Sequence, residues 1–439
     1  MITSDAWKGQ RFAVLGLARS GRATVEALLA SGAEVLAWDA KPEAREPFVG
    51  RVALADPLEA DLTGYAGVVV SPGVPLNTHP IKPYADKFGV PVIGDIELFA
   101  QARSGLPPHK VVGITGTNGK STTTALTHHI LEVAGVPTAM GGNIGLPILE
   151  QDPLPAGGVY VLELSSYQID LTFSLDCDVA VLLNVTPDHL DRYESFEAYA
   201  ASKARLFEMQ SETEDWGRVI VVDDPVAAAV ARNLECVFEV GDKWLRSQDA
   251  AYLSLQAHWP ALQGPHNARN AAAAIQSCRS LGLGWTEINR GLRTYTGLPH
   301  RMERVGTVGG ALYVNDSKGT NTAATAPALS AFENIHWIVG GLAKEPGLAE
   351  CEAQLSHVKA AYCIGKSGPD FAALLEGRVP VTRSETLVQA VADATAAAVP
   401  GDTVLLSPAC ASFDQFRDFE QRGDVFRAAV QSLAGFEPL

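Results

Sequence analysis

The chain opens with a short apolar run, Arg11 to Leu15, which passes into a Gly-rich turn from Gly16 to Gly21. A helical stretch from Thr24 to Ala30 and a second extended run from Glu34 to Trp38 follow. Short apolar runs separated by a helical period predict a βαβ unit with a parallel sheet. The theme returns where Val68-Val69-Val70 runs into Ser71-Pro72-Gly73, and where Pro91-Val92-Ile93 runs into Gly94-Asp95. Sheets of this kind bind ligands at the loops on their strands' carboxyl ends.

A breaker-rich stretch, Ser104-Gly105-Leu106-Pro107-Pro108, ends this pattern, and a new strand is predicted from Val111 to Ile114. Further on, an Ala-rich helical segment gives way to Gly297-Leu298-Pro299-His300-Arg301 ahead of a strand from Ala311 to Val314. Beyond it, Trp337-Ile338-Val339, Ala361 to Ile364 and Thr403 to Leu406 each run into a turn. The expectation is an α/β protein of three domains, 1–107, 108–298 and 299–439. The first is Rossmann-like, the second a P-loop ATPase type with a mixed sheet, and the third again Rossmann-like. No repeat of fixed period points to a solenoid.

Composition narrows the function. With 439 residues, 47% hydrophobic and 19% charged, the chain is long enough for several cores and reads as a folded enzyme. A net charge of −16 repels nucleic acid and anionic membrane. No apolar run reaches the roughly 18 residues that span a bilayer, and the start, Met1-Ile2-Thr3-Ser4-Asp5, has no basic region followed by an apolar one. The expectation is a cytoplasmic protein, monomeric by default. Its six cysteines, Cys177, Cys236, Cys278, Cys351, Cys363 and Cys410, show no Cys-x-x-Cys spacing, so reduced, buried thiols are expected.

The most informative segment is GITGTNGKSTTT, Gly113 to Thr124, placed between a strand and a helix. There the backbone N–H groups and the positive end of the helix converge on one point, which suits a polyphosphate. Gly116 and Gly119 allow the tight turn, Lys120 reaches the terminal phosphates, and the Ser121 or Thr122 hydroxyl can ligate Mg²⁺. The full Walker spacing fails because Ile114 stands at its first glycine; the shorter Gly-x-x-Gly-Lys-Ser form remains. Two more strands end in chemistry. Tyr160-Val161-Leu162 ends in Glu163, and Val179 to Leu183 leads into Asn184-Val185-Thr186-Pro187-Asp188-His189. A carboxylate at a strand tip beside a phosphate loop can hold Mg²⁺. Read alone, Glu163 is more often a surface acid than a metal ligand, a lone His189 is usually structural, and Lys203 is an ordinary helix-surface lysine.

Five ordered segments, GTNGKSTTT, LELSSYQ, NVTPDHLDRY, AYAASKARLF and GPHNARNA, resemble the central domain of the Mur ligases. The resemblance implies that Gly116, Thr117, Asn118, Gly119, Lys120, Ser121 and Thr122 hold ATP with Asn267 and Asn270. It implies that Ser121, Glu163, His189 and a carbamylated Lys203 hold Mg²⁺, with Lys120, Glu163, His189 and Lys203 as the catalytic set. Carbamylation needs a neutral amine, so Lys203 should sit where its charge is disfavoured.

The first turn, Gly16-Leu17-Ala18-Arg19-Ser20-Gly21, is a dinucleotide fingerprint with alanine at its second glycine, and Asp39 ends the next strand. An NAD-dependent dehydrogenase is therefore one rival, and a folylpolyglutamate-type ligase is another. The resemblance instead implies that Arg19, Ser20, Asp39 and Gly73 meet the uridine diphosphate part of a muramoyl substrate, with Gly142, Asn143, Ser165 and Gln168 farther along it. In the last third, Asn315 to Asn321, Gly340 to Lys344 and Leu405 to Phe426 are most similar to glutamate-adding members. There Arg301, Asp316 and Lys318 match nucleotide contacts, and His300, Thr320, Lys344, Ser412, Phe413 and Phe419 match substrate contacts. Gly340-Gly341-Leu342-Ala343 departs from relatives, which often carry an Asp-Gly pair in this segment. The implied reaction joins glutamate to UDP-N-acetylmuramoyl-L-alanine with ATP, through an acyl phosphate.

Overall fold

The computed structural model describes residues 1–188, 191–211, 217–221, 224–235, 237–240, 256–344 and 346–439. Contacts divide the chain into two compact units, Met1–Leu253 with Arg269–Arg293, and Ser254–Ala268 with Thr294–Leu439.

The first unit holds two sheets. One is built from β1 (Arg11–Leu15), β2 (Glu34–Trp38), β3 (Ala53–Leu54), β4 (Gly67–Val70) and β5 (Val92–Ile93), in the order β3-β2-β1-β4-β5. The order reverses at β1 and β4, so the Gly16 turn and the Ser71–Gly73 turn flank the crevice at the switch point. The other sheet comprises β6 (His109–Thr115), β7 (Thr138–Gly142), β8 (Gly158–Glu163), β9 (Val179–Leu182), β10 (Arg218–Val221) and β11 (Val237–Val240). Its order is β11-β10-β9-β6-β8-β7. One buried cluster runs from Ile2, Trp7, Val14 and Phe99 to Tyr160, Leu182 and Phe207, so the two sheets share a core.

The second unit is a seven-stranded sheet, β12 (Glu303–Val308), β13 (Ala311–Asn315), β14 (Ile335–Gly340), β15 (Val358–Ile364), β16 (Val381–Glu385), β17 (Thr403–Leu406) and β18 (Phe436–Pro438). Its order is β16-β15-β14-β17-β13-β12-β18. Val314, Trp337 and Leu405 pack on one face, while Tyr313, Ile338, Val404 and Leu406 pack on the other. Alternate residues of a strand point to opposite faces, and with both faces covered the strands read as continuous apolar runs.

One expectation is corrected. The central sheet is parallel at every described pairing, not mixed, because its described strands do not return through tight hairpins. Antiparallel pairing occurs instead at the edge of the third sheet, where β12 pairs with β13 and β18. Gly309 and Gly310, both at positive φ of 57° and 79°, form the two-residue turn that makes the β12–β13 hairpin possible. Cys177, Cys278, Cys351, Cys363 and Cys410 are buried free thiols; Cys236 lies outside the described residues. Among the described residues no helix is long and apolar enough to cross a membrane.

Candidate active site

Strand β6 ends at Thr115 and the helix Lys120–Val133 begins five residues later, with Gly116 at φ 150° and Gly119 at φ 85° between them. Asn184, just past β9, grips this loop: its carbonyl accepts from Thr117 N at 2.9 Å, and its side-chain oxygen accepts from Asn118 N at 2.8 Å. Its amide also donates to Asn118 O at 3.0 Å. The Thr117 hydroxyl donates to Thr186 O at 3.1 Å and lies 3.0 Å from the Tyr199 hydroxyl. Lys120 folds back over the turn, its Nζ 2.8 Å from both Gly116 O and Thr117 O. A methyl group on Gly119 would come within 2.3 Å of the Asn270 side-chain oxygen, so Asn270 lies against the loop. Ser121 is buried and Thr122 half-buried in the first helical turn.

Glu163 is the last residue of β8, in register with Ile114 of β6 on one side and Gly142 of β7 on the other. Asn143 donates its side-chain amide to Glu163 Oε1 at 2.9 Å and its backbone N–H to Glu163 O at 2.8 Å. The other carboxylate oxygen, Oε2, is buried with no hydrogen-bond partner. An unsatisfied buried carboxylate oxygen is costly, and a hard cation beside it would relieve that cost. Mg²⁺ takes few protein oxygens when phosphates supply the rest. Glu163 thus fits the group; His189 lies outside the described residues. Close packing fixes Gly142. At φ 87°, a Cβ there would stand 2.1 Å from Glu163 O. Gly142→Ala is expected to destabilise the protein by about 3 kcal/mol or more and to move Glu163, read as a lower Tm together with lost activity.

Lys203 points inward from the helix Phe196–Glu208; it is 2% exposed, and its Nζ donates to Gly116 O at 3.0 Å. Burial, and then the charge of Lys120, bring its pKa down to about 7, against the opposing pull of Asp188 and Asp170. Burial thus disfavours the charged form of this amine.

At the first sheet, Arg19 donates to Gly145 O at 2.7 Å. Both carboxylate oxygens of Asp39 already accept from the backbone, Leu17 N at 2.7 Å and Lys41 N at 2.9 Å, so Asp39 staples the Gly-rich turn to the end of β2. Ser20 is half-buried and Gly73 exposed beside this crevice. Ser165 and Gln168 form a capping box on the helix Ser166–Asp170, which occupies part of their bonding capacity.

In the second unit, Asp316 is buried and accepts from the Ser407 hydroxyl at 2.7 Å and Met302 N at 3.2 Å; burial pushes its pKa up to about 7. The Lys318 ammonium lies 3.9 Å from the centre of the Phe419 ring, and Lys318 N donates to His300 O at 3.0 Å. His300 and Met302 both hold left-handed backbone, φ 61° and 51°, bracketing Arg301. Strain of this kind persists where surrounding structure imposes it. Thr320 N donates to Lys318 O at 2.8 Å, Ser412 is buried, and Lys344 and Phe413 are exposed, Phe413 at 69%. Leu342 and Ala411 exchange backbone hydrogen bonds of 2.9 and 3.0 Å, which fixes the loop that departs from the family pattern. Asn267, also in this unit, donates to Gln263 O at 3.1 Å.

Sequence reasoning passed over Asn184, Tyr199, Ser407 and Arg422. Arg422 is 1% exposed and donates to the Ser317 hydroxyl, Ser317 O and Cys410 O at 2.9, 2.7 and 3.0 Å, joining the two loops that carry Lys318 and Ser412. An asparagine just beyond a strand was the available signal for Asn184; no pattern distinguishes a buried helix arginine from an exposed one.

Two family models match this chain, the Mur ligase middle domain over residues 114–278 and the Mur ligase, glutamate ligase domain over residues 300–410. The protein of Novosphingobium aromaticivorans named UDP-N-acetylmuramoylalanine--D-glutamate ligase is 60% identical over 433 residues, 99% of this chain and 97% of that protein. Its namesake from Sphingopyxis alaskensis is 60% identical over 440 residues, 99% of this chain and 100% of that protein. In fold, the MurF ligase from Thermotoga maritima, solved in complex with ADP, is similar at a TM-score of 0.61 and 16% identity, covering 98% of this chain and 97% of that one. Identity at this level along nearly the whole length makes the chain a member of the Mur ligase family.

Proposed function

We propose that this chain is an ATP-dependent ligase that joins D-glutamate to UDP-N-acetylmuramoyl-L-alanine in cytoplasmic peptidoglycan precursor synthesis. Full-length relatives that bear that activity as their name support it. The observation that carries the chemistry is the loop Gly116 to Ser121, flanked by Lys120, by Lys203 and by a buried carboxylate oxygen of Glu163 left without a partner. A dehydrogenase and a folylpolyglutamate-type ligase are not favoured, since neither is the name these relatives carry.

In this reading the loop's N–H groups and the helix N-terminus hold the ATP phosphates, with Asn267, Asn270, Arg301, Asp316 and Lys318 as further nucleotide contacts. Lys120 leaves Gly116 O and Thr117 O to meet the terminal phosphates. Arg19, Ser20, Asp39 and Gly73 hold the uridine diphosphate, and Gly142, Asn143, Ser165 and Gln168 the muramoyl end. The alanyl carboxylate attacks the γ-phosphorus, the bond to ADP breaks, and the resulting acyl phosphate is attacked by the glutamate amine, which expels phosphate. His300, Thr320, Lys344, Ser412, Phe413 and Phe419 orient that amine. Mg²⁺ held by Ser121, Glu163, His189 and carbamylated Lys203 would neutralise charge on the phosphate oxygens. The protein otherwise contributes orientation and charge neutralisation among three anions.

The test is a coupled ADP assay with UDP-N-acetylmuramoyl-L-alanine as acceptor and each amino acid in turn. ADP should appear with D-glutamate and stay at background with the others, L-glutamate included; turnover with a different amino acid, or none at all, refutes the proposal. Lys203→Arg, which keeps the charge but cannot form a carbamate, should lower kcat at least about a hundredfold. Near-normal turnover of that variant, indifferent to added bicarbonate, would remove Lys203 from the catalytic set.

A further inference from the structure

Within the first unit, one arginine ties a loop of the first sheet to the second sheet. The loop after β4, residues 71–78, carries Gly73; the segment after β9 passes through Asp191 and Arg192 into the helix that bears Lys203. Arg192 donates Nη2 to Gly73 O at 3.3 Å and Nη1 to Val74 O at 3.2 Å. Asn77 of the same loop donates in return to Asp191 O at 2.9 Å. The guanidinium lies 4.8 Å from the centre of the Tyr167 ring, and Tyr167 stacks on Tyr193 with centroids 6.0 Å apart and planes 9° from parallel. Tyr193 is anchored in turn, its hydroxyl donating to Asp170 at 2.7 Å. The second sheet's aromatic pair thus holds the planar face of Arg192 while its two donors reach the other sheet's carbonyls.

Beside this contact is an open cleft lined by Pro72, Val74, Leu76, Tyr167, Leu171 and Tyr193 among others. Val74 and Leu76 pack against the first sheet's core and Ser71 bonds to Gly16 and Leu15, but across the cleft the loop's hydrogen bonds to the second sheet run through Arg192 and Asp191. A lysine could not replace the arginine, because it has neither a planar face for the ring nor two fixed donors for adjacent carbonyls.

We propose that Arg192 is a positioning residue that latches the 71–78 loop in the shape the muramoyl substrate needs. The proposal rests on the functional reading that puts this substrate at Gly73. The latch sets the affinity for the nucleotide-sugar substrate and leaves the ATP loop untouched.

Steady-state kinetics of the full-length enzyme, with calorimetric ATP binding and thermal melting, test it on Arg192→Ala, Arg192→Lys and Asn77→Ala. Losing charge-assisted hydrogen bonds to two carbonyls should raise the KM for UDP-N-acetylmuramoyl-L-alanine about tenfold, with kcat within about threefold and ATP affinity unchanged. The lysine variant should recover only part of the loss, and Asn77→Ala should shift KM the same way by less. An unchanged KM in Arg192→Ala overturns the latch, and so does a parallel loss of ATP affinity, KM and Tm, which marks a purely structural arginine. Should Arg192→Ala not fold, Asn77→Ala decides by whether its KM rises or stays. A wild-type enzyme inert toward the muramoyl substrate takes down the functional reading and the latch together, whereas normal wild-type turnover with unaltered variants sinks the latch alone.

Discussion

Lys120→Ala should give a folded protein that forms ADP about a thousandfold more slowly than the parent, the order expected when a preorganised charge is removed from a phosphoryl-transfer site. The lysine is not needed to shape the loop. Asn184 holds Thr117 and Asn118 from the neighbouring strand end, and Gly116 and Gly119 supply the backbone turn. In the structure Lys120 donates to two loop carbonyls, Gly116 O and Thr117 O, each at 2.8 Å. A phosphate would offer the ammonium an anionic acceptor in place of these neutral ones, adding the attraction of opposite charges to the hydrogen bond. Its contribution should therefore be greatest as charge shifts in the transition state. Calorimetry should find ATP affinity lowered by only about tenfold, while the turnover assay registers the larger loss. A Lys120→Ala enzyme with ordinary kcat would remove the phosphate loop from the mechanism.

Glu163→Gln should lower kcat at least about a hundredfold and raise the Mg²⁺ concentration needed for half-maximal rate by about tenfold. The substitution preserves size and retains an oxygen that Asn143 can donate to at the present 2.9 Å position. It replaces the unpartnered, buried Oε2 with an amide nitrogen, which has no lone pair to offer a cation. Because that oxygen is an unrelieved cost without metal, the variant should melt no lower than the parent in the presence of a chelator. Metal titrations of rate, paired with melting curves with and without Mg²⁺, separate the two effects. If the variant's Mg²⁺ requirement matches the parent's, Glu163 is not a metal ligand.

Much of the architecture is readable from local pattern because α/β units place apolar runs and turn residues in strict alternation. Arg11–Leu15, Glu34–Trp38 and Thr403–Leu406 are strands over the residues that the apolar runs indicate. The first helix begins at Arg19, not Thr24, because a Gly-rich turn can open directly into a helix once its last left-handed residue, Gly16 at φ 90°, is passed. The phosphate loop is legible for the same reason, since its chemistry is contiguous in sequence. What is not legible is pairing at a distance. The hold of Asn184 on Asn118, the grip of Asn143 on Glu163 and the burial of Arg422 between Ser317 and Cys410 link residues far apart in sequence. Ser165 and Gln168 show the converse, where a local rule, the capping box, applies to residues read first as ligand contacts. Asn267 and Asn270, three residues apart on the helix Pro265–Ser280, fall in different compact units, a division no local pattern marks.

Activation of a carboxylate by phosphorylation at the loop Gly116 to Ser121 is the step on which the proposed reaction turns, and an isotope decides it. UDP-N-acetylmuramoyl-L-alanine carrying ¹⁸O in both alanyl carboxylate oxygens, turned over with ATP and D-glutamate, should release inorganic phosphate containing one ¹⁸O, because the oxygen that attacks the γ-phosphorus leaves with it. Phosphate free of the label, from an enzyme that still makes the amide, would contradict both the acyl phosphate and the part the loop plays in forming it.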